Sequence, residues 1–354
     1  MLMNRMMILL FVLASAVSAN PVIAELKSIR ILATGGTIAG KQADTRDPGY
    51  KSGSFNVQDL IDAVPALPKI AKLQGEQIAN IGSQDMNDAV WLKLAKRIND
   101  LVAQSDVDGI VITHGTDTLE ETAYFLNLVI KTEKPIVLTA SMRPATSISA
   151  DGPMNLFQAT VVASHEEAAG RGVLVVMNNH IHYAAEITKT KTVNPDAMRS
   201  PNRGLAGKCD AEFCRFFSPT LKRHTVNSAL KLPKEGESLP QVDIIYSHAN
   251  SGRHLIDAAV AAGAKGLVIA GVGDGNMTNA MLDAASEHRQ NGIMIVRSSH
   301  VGSGDVKRNV EINDDELDFV ASREANPQKA RVLLQLGLLQ GLDSQAIQRL
   351  FDTH

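Results

Sequence analysis

Two short stretches place hydroxyls where a nucleophile could stand. The first is ILATGGTIAG, residues 31–40, in which Gly35 and Gly36 follow an apolar run and Thr37 comes at once after them. Paired glycines let the backbone take positive φ and approach a ligand closely. The second is VITHGTDTLEE, residues 111–121, where another apolar run meets Gly115 and then Thr116 and Asp117. A hydroxyl is a weak nucleophile at neutral pH and needs a base or relay to take its proton. Asp117 could be that base or could hold a substrate ammonium; alternatively, residues 116–118 simply cap the helix that starts there.

Three further groups can add polarity to such a site. IGSQDMN, residues 81–87, offers Ser83 and Gln84, neutral donors and acceptors suited to a carboxylate or an amide, or else ordinary loop chemistry. Lys189 lies in ITKTK. It is a solvated surface residue unless burial beside Asp117 and Thr116 turns it into a proton relay. Arg143, in a polar loop after the strand-like run 135–138, is either a carboxylate ligand or a structural partner.

Other patterns are excluded. GVGDGN, residues 271–276, lacks the Gly-Lys-Ser/Thr of a phosphate loop and fails the dinucleotide pattern, so it reads as backbone passing close to a partner. His180 and His182 have no matching carboxylate nearby and read as surface residues of a polar loop, so no metal and no cofactor is expected. There is no Gly-x-Ser-x-Gly elbow.

The elements that must position these groups alternate. Strand-like runs at 28–34, 76–81, 109–113, 135–138 and 172–177 are separated by helical patterns. In 87–104, Trp91, Leu94, Ile98 and Leu101 share one face. Residues 118–129 carry Glu120 and Glu121 in the first turn, which suits the helix dipole. Asp151, followed by Pro153, reads as an N-cap. This alternation predicts an α/β fold with a mainly parallel sheet covered by helices on both faces. Residues 199–240 are less regular, and the alternation then resumes on a smaller scale, with strands at 243–246, 266–270 and 293–297 and helices at 254–262, 279–291, 327–339 and 343–351. The expected division is a leader at 1–24, an N-terminal domain at 25–217, a linker at 218–240 and a C-terminal α/β domain at 241–354.

The leader expectation rests on Arg5, the apolar run 6–17 and the small residues before Ala19, the pattern of a secretory signal cleaved after Ala19 or Ala24. It predicts an exported, periplasmic protein with no membrane segment after cleavage. The net charge of −3, without a basic patch, speaks against nucleic acid. Cys209 and Cys214, the chain's two cysteines, are expected to form a local disulfide.

TGGTIAG at 34–40 together with HGTDTLEET at 114–122 resembles the bacterial L-asparaginases of the asparaginase/glutaminase family, and the leader suggests the type II, periplasmic form. GSQDMND at 82–88, MRPATSISADGPMN at 142–155 and NPQKARVLL at 326–334 agree, in collinear order. The resemblance implies a larger N-terminal and a smaller C-terminal α/β domain, and a homotetramer whose active sites are shared between subunits. It matches Thr37 to the nucleophile and Tyr50 to the assisting tyrosine of a mobile lid. Thr116, Asp117 and Lys189 match the relay triad. Ser83, Gln84 and Asp117 match the groups that hold the amino-acid head of the substrate, and Asn276 and Glu311 match residues reaching in from a partner subunit. Donors near Thr116 would face the oxyanion. Residues 183–190 lack the Gly-Arg-Asp of familiar members, and Cys209 and Cys214 do not fall where the family's usual disulfide does.

The implied reaction is hydrolysis of L-asparagine to L-aspartate and ammonia. Strong glutaminases of the family tend to carry glutamate and serine at the positions of Gln84 and Asn276, so L-glutamine is expected as the lesser substrate. The rival readings are a glutaminase-asparaginase with comparable activity on both amides, a non-catalytic periplasmic amino-acid binding protein, and a transamidating subunit acting on aminoacyl-tRNA.

Overall fold

The computed structural model describes residues 25–44, 49–210 and 213–354. The leader at 1–24 and the lid positions 45–48 lie outside the described residues. The chain builds one large and one small sheet. Strand β1 (Lys27–Gly35) is followed by α1 (Val57–Asp62), β2 (Ala71–Ile81), α2 (Asp88–Val102), β3 (Gly109–Thr113), α3 (Leu119–Val129), β4 (Ile136–Thr139) and α4 (Gly152–Ser164). Next come β5 (Val173–Met177), β6 (His180–Tyr183), β7 (Gly207–Cys209) and β8 (Cys214–Phe216). These eight strands lie in the order β8-β7-β6-β5-β4-β3-β1-β2. The pairs from β5 to β2 are parallel and those from β5 to β8 antiparallel.

The small sheet is parallel throughout: β9 (Val242–Tyr246), β10 (Gly266–Gly271), β11 (Met294–Ser299) and β12 (Val320–Ala321), in that order. It is accompanied by α5 (His254–Ala261), α6 (Asn279–Gln290), α7 (Asp314–Leu317), α8 (Pro327–Leu339) and α9 (Ser344–Thr353).

Why these segments adopt these forms is local. GIVIT of β3 is buried along its whole length, the continuous apolar run that a doubly covered parallel strand requires. Helix α2 starts where the Asn87 side chain accepts from the Val90 N–H, and buries Trp91, Leu94, Ile98 and Leu101. Helix α8 starts with Asn326 capping the Lys329 N–H and proline in its first turn. Apolar side chains of α1 and α4 pack on one face of the large sheet. Those of α2 and α3 pack on the other and continue without a break through α8 and α9 to the small sheet. A third cluster lies under α5 and α6. Among the described residues no helix is long and apolar enough to cross a membrane.

Three sequence expectations need correction, and one left open is decided. The stretch with both cysteines is not merely irregular: β7 and β8 form an antiparallel hairpin on the sheet edge, and Cys209 pairs with Cys214 across it in a disulfide. His180 and His182 sit on a strand rather than in a loop, and His182 is fully buried, its pKa pushed down to about 3 by loss of solvent. Asp151 stands at the start of α4 but does not cap it; its carboxylate accepts from the Met142 and Arg143 N–H groups and ties the preceding loop. Arg143 donates to the Ser149 carbonyl, a structural bond within that loop.

Candidate active site

Strand β1 leads across to β2 on one side, whereas β3, its other neighbour, leads to β4 on the opposite side. The carboxyl ends of β1 and β3 therefore flank the point where the winding reverses, which is where open α/β sheets form a ligand crevice. Both chemistry-bearing stretches emerge there. Gly35 and Gly36 have φ of 108° and 81°. A Cβ on Gly36 would lie 2.4 Å from the Gly115 Cα, so the two turns meet glycine against glycine. The Thr34 hydroxyl donates to the Thr113 carbonyl at 3.0 Å and ties the strand ends just before they diverge.

Thr37 opens a single 3-10 turn, Thr37–Ala39, and is buried. Its Oγ1 lies 2.8 Å from the Tyr50 hydroxyl. Tyr50 comes from a two-stranded ribbon in which Lys41–Gln42 pairs with Tyr50–Lys51. Gly40 matters here because a Cβ on it would come within 2.9 Å of the Tyr50 ring.

Thr116 is also buried, and its Oγ1 accepts from the Lys189 Nζ at 2.9 Å. The same ammonium donates to the Asp117 Oδ1 at 2.5 Å. Lys189 is held on a two-residue strand, Thr188–Lys189, paired with Met198–Arg199. The capping alternative for residues 116–118 is not realised: the Thr118 hydroxyl donates to the Ser83 carbonyl instead of capping α3. Ser83 is buried, and its Oγ accepts from the Asp117 N–H at 3.2 Å. Gln84 is exposed beside it and donates to the Asp85 carboxylate at 3.3 Å.

Asn276 and Glu311 join each other, Asn276 Nδ2 donating to Glu311 Oε2 at 2.8 Å. Among the described residues no hydrogen bond links either to Thr37, Thr116, Asp117 or Lys189. Their loops are held from beneath by Arg297. Its guanidinium is buried, makes two bonds of 2.6 and 2.7 Å to the buried Asp314, and donates to the carbonyls of Asp274, Gly275 and Lys307.

Sequence reasoning overlooked three parts of the site. Arg297 with Asp314 is one. Glu120 is another: it is buried among groups from two distant segments rather than merely favouring the helix dipole. His114 is the third, fully buried immediately before Gly115. The Gly115 carbonyl can only accept, so its 2.7 Å contact puts the His114 proton on Nδ1. With burial keeping the ring neutral, Nε2 accepts from the Thr122 hydroxyl at 3.0 Å, and Thr122 Oγ1 in turn accepts from Trp91 Nε1–H at 2.8 Å. The ring is neutral, and the peptide that carries the Thr116 N–H is fixed at its other end.

Burial pushes the His114 pKa down to about 4, against a smaller upward pull from the Gly115 carbonyl. In the unfolded chain the ring takes its proton near pH 6.5. The unfolded state thus binds more protons between these values. The stability gained by keeping His114 neutral is complete above pH 6.5 and is lost as pH falls through about 4, about 3 kcal/mol in all. Urea unfolding of His114→Gln should show a shallower loss of stability over this window than the parent chain; parallel slopes would refute the account.

The chain is similar to known proteins over nearly its whole length. Residues 28–221 match the family model described as "Asparaginase, N-terminal". Residues 241–351 match "Glutaminase/Asparaginase C-terminal domain". The chain is 49% identical over 330 residues to "Probable L-asparaginase periplasmic" of Haemophilus influenzae, covering 93% of each chain. It is 46% identical over 329 residues to "L-asparaginase 2" of Escherichia coli, covering 93% of this chain and 94% of that one. Among solved structures, "Probable Cytoplasmic L-asparaginase from Campylobacter jejuni" superposes with a TM-score of 0.89 at 44% identity, over 93% of this chain and 100% of that one.

Proposed function

We propose, for a chain that belongs to the asparaginase family and is an amidohydrolase converting L-asparagine to L-aspartate and ammonia, that Thr37 is the nucleophile. The observation that carries this is the pairing of Thr37 with Tyr50 at 2.8 Å next to the Lys189–Thr116 bond at 2.9 Å, on adjacent strand ends. Asp117 and Ser83 hold the amino-acid head of asparagine with Gln84 at the rim, which sets the amide carbon over Thr37. Thr37 Oγ1 attacks that carbon and its proton leaves by way of Tyr50. The Thr116–Lys189–Asp117 group carries protons to the amide nitrogen, and donors near Thr116 stabilise the tetrahedral oxyanion. The C–N bond breaks, ammonia departs, and an acyl ester on Thr37 remains. Water then attacks the ester, and aspartate and the free hydroxyl are restored.

Asn276 and Glu311 are read as serving the site of a neighbouring copy in a homotetramer. Their mutual hydrogen bond, without one to the Thr37 group of their own chain, supports this. The leader at 1–24 is read as an export signal to the periplasm, in keeping with the name of the Haemophilus influenzae relative. Residues 218–240 are read as the linker between domains 25–217 and 241–354.

With Gln84 and Asn276 in place, asparagine is the preferred amide and glutamine the lesser one. The two differ by one methylene, which a pocket discriminates by about 1–3 kcal/mol, roughly 10–200-fold. Ammonia release at varied concentrations of each amide yields the two kcat/KM values. A ratio in that range favouring asparagine is expected; a ratio near unity would assign dual activity instead.

A further inference from the structure

We infer that Glu120, Thr188, Asn326 and Lys329 form a clamp between the two halves of the chain that sets the position of Lys189, so that proton relay at Thr116 depends on the docking of α8. This rests on the proposed role of Lys189.

Glu120 lies four residues after Thr116, in the first turn of α3, and is buried. Its carboxylate is a hub. Oε1 accepts from the Thr188 hydroxyl at 3.2 Å and from Gln328 Nε2 at 2.8 Å. Oε2 accepts from Asn326 Nδ2 at 2.9 Å and from Lys329 Nζ at 3.2 Å. The Thr188 hydroxyl oxygen in turn accepts from Asn326 Nδ2 at 3.2 Å. Lys329 Nζ also donates to the Ile187 carbonyl. Both Glu120 and Lys329 have only 4% of their side chains exposed. Despite the cost of burial, the neighbouring ammonium and the three polar donors hold the Glu120 pKa below its usual range.

The consequence is geometric. Thr188–Lys189 is a strand of only two residues, with one short partner to hold it. Such a segment is poorly fixed by its own ladder. The segment before Lys189 is instead held by the Ile187 carbonyl, which accepts from Lys329 of α8, and by the Thr188 hydroxyl, which is bonded to Glu120, in the helix that Thr116 and Asp117 lead into, and to Asn326 at the N-terminus of α8. The Asn326 side chain does two jobs, capping α8 with its oxygen and donating to Glu120 and Thr188 with its nitrogen. The separation of the Lys189 ammonium from Thr116 is thereby tied to the seating of the C-terminal half. These four are positioning residues; none is placed against the substrate.

The test uses the purified full chain and separates positioning from stability. Thr188→Val removes one hydroxyl and keeps the side-chain shape. It should lower kcat for asparagine by about 10- to 100-fold, as small misplacements of a reacting group do. KM should stay within about twofold and the pH profile of kcat should be displaced, because the relay rather than the substrate grip is loosened. Thr188→Ser keeps the hydroxyl and should restore both. Glu120→Gln with Lys329→Met removes both buried charges together, so that neither is left unpaired. It should reproduce the Thr188→Val profile whatever its Tm. Lys189→Met serves as reference and should be far less active than any clamp variant. Wild-type kcat and pH profile in Thr188→Val and in the double variant, with Lys189→Met inactive, would overturn the clamp and leave the site reading standing. An active Lys189→Met would remove Lys189 from the relay, and the clamp with it.

Discussion

Thr37→Ala should slow asparagine hydrolysis by about 10³-fold or more, with the fold unchanged. The substitution deletes one hydroxyl and one methyl from a buried turn that is held by backbone bonds, Gly40 N–H to the Thr37 carbonyl at 2.8 Å and Ala39 N–H to the Gly36 carbonyl at 3.2 Å. Neither bond involves the Thr37 side chain. The loss should fall on kcat and not on KM, because Ser83 and Asp117 remain to hold the amino-acid head. Residual turnover would measure what positioning and oxyanion donors supply to direct attack by water. The check is steady-state ammonia release together with thermal unfolding, and quenched-flow trapping of an acyl-enzyme in the parent chain. A variant with near-normal kcat would remove Thr37 from the mechanism.

Asp314→Ala should destabilise the chain by about 3–5 kcal/mol, because it leaves the Arg297 guanidinium buried without its counter-charge. The pair is 2% and 0% exposed. Asp314 also accepts from the Asn309 N–H at 3.0 Å, so the loop that leads to Glu311 loses its anchor as well. Arg297 still has the carbonyls of Asp274, Gly275 and Lys307, but carbonyl dipoles do not replace a carboxylate. Pairing Asp314→Leu with Arg297→Met, which removes both charges, should recover most of the loss. Chemical denaturation with matched slopes measures both. Equal stability of Asp314→Ala and the parent would mean that water reaches Arg297 and that the pair is not structural.

Much of this was legible before any fold was known. The helix over 327–339 could be read to its last residue, since asparagine followed by proline starts it and an apolar stripe runs its length. The strand GIVIT was equally plain. So was the presence of a threonine behind glycine at two strand ends. These signals are local: they depend on steric allowance, on capping and on a periodicity that a few neighbours reveal.

Other features were misread because local chemistry had more than one use. Asp151 has the right residue type and position for a cap, yet its carboxylate turns back to the loop at Met142 and Arg143. His180-Ile181-His182 looks polar in sequence, but it is a strand whose residues 181–183 are all buried, so His182 is taken out of water along with its apolar neighbours. Glu120 looks like any acidic residue in a first turn. Its partners Asn326 and Lys329 stand 206 and 209 residues away.

The alternating strands and helices, the glycines that let two turns touch, and the residue types able to attack and to shuttle protons are all properties of short stretches of chain. The tertiary structure alone decided which of those residues meet. It set β1 beside β3 at the reversal of the winding, brought Lys189 to Thr116, and joined Glu120 to the far end of the chain. The physical reason is that propensity and periodicity act over a turn or a strand. Pairing of buried polar groups is settled only when packing brings distant segments together and each must find a partner out of water.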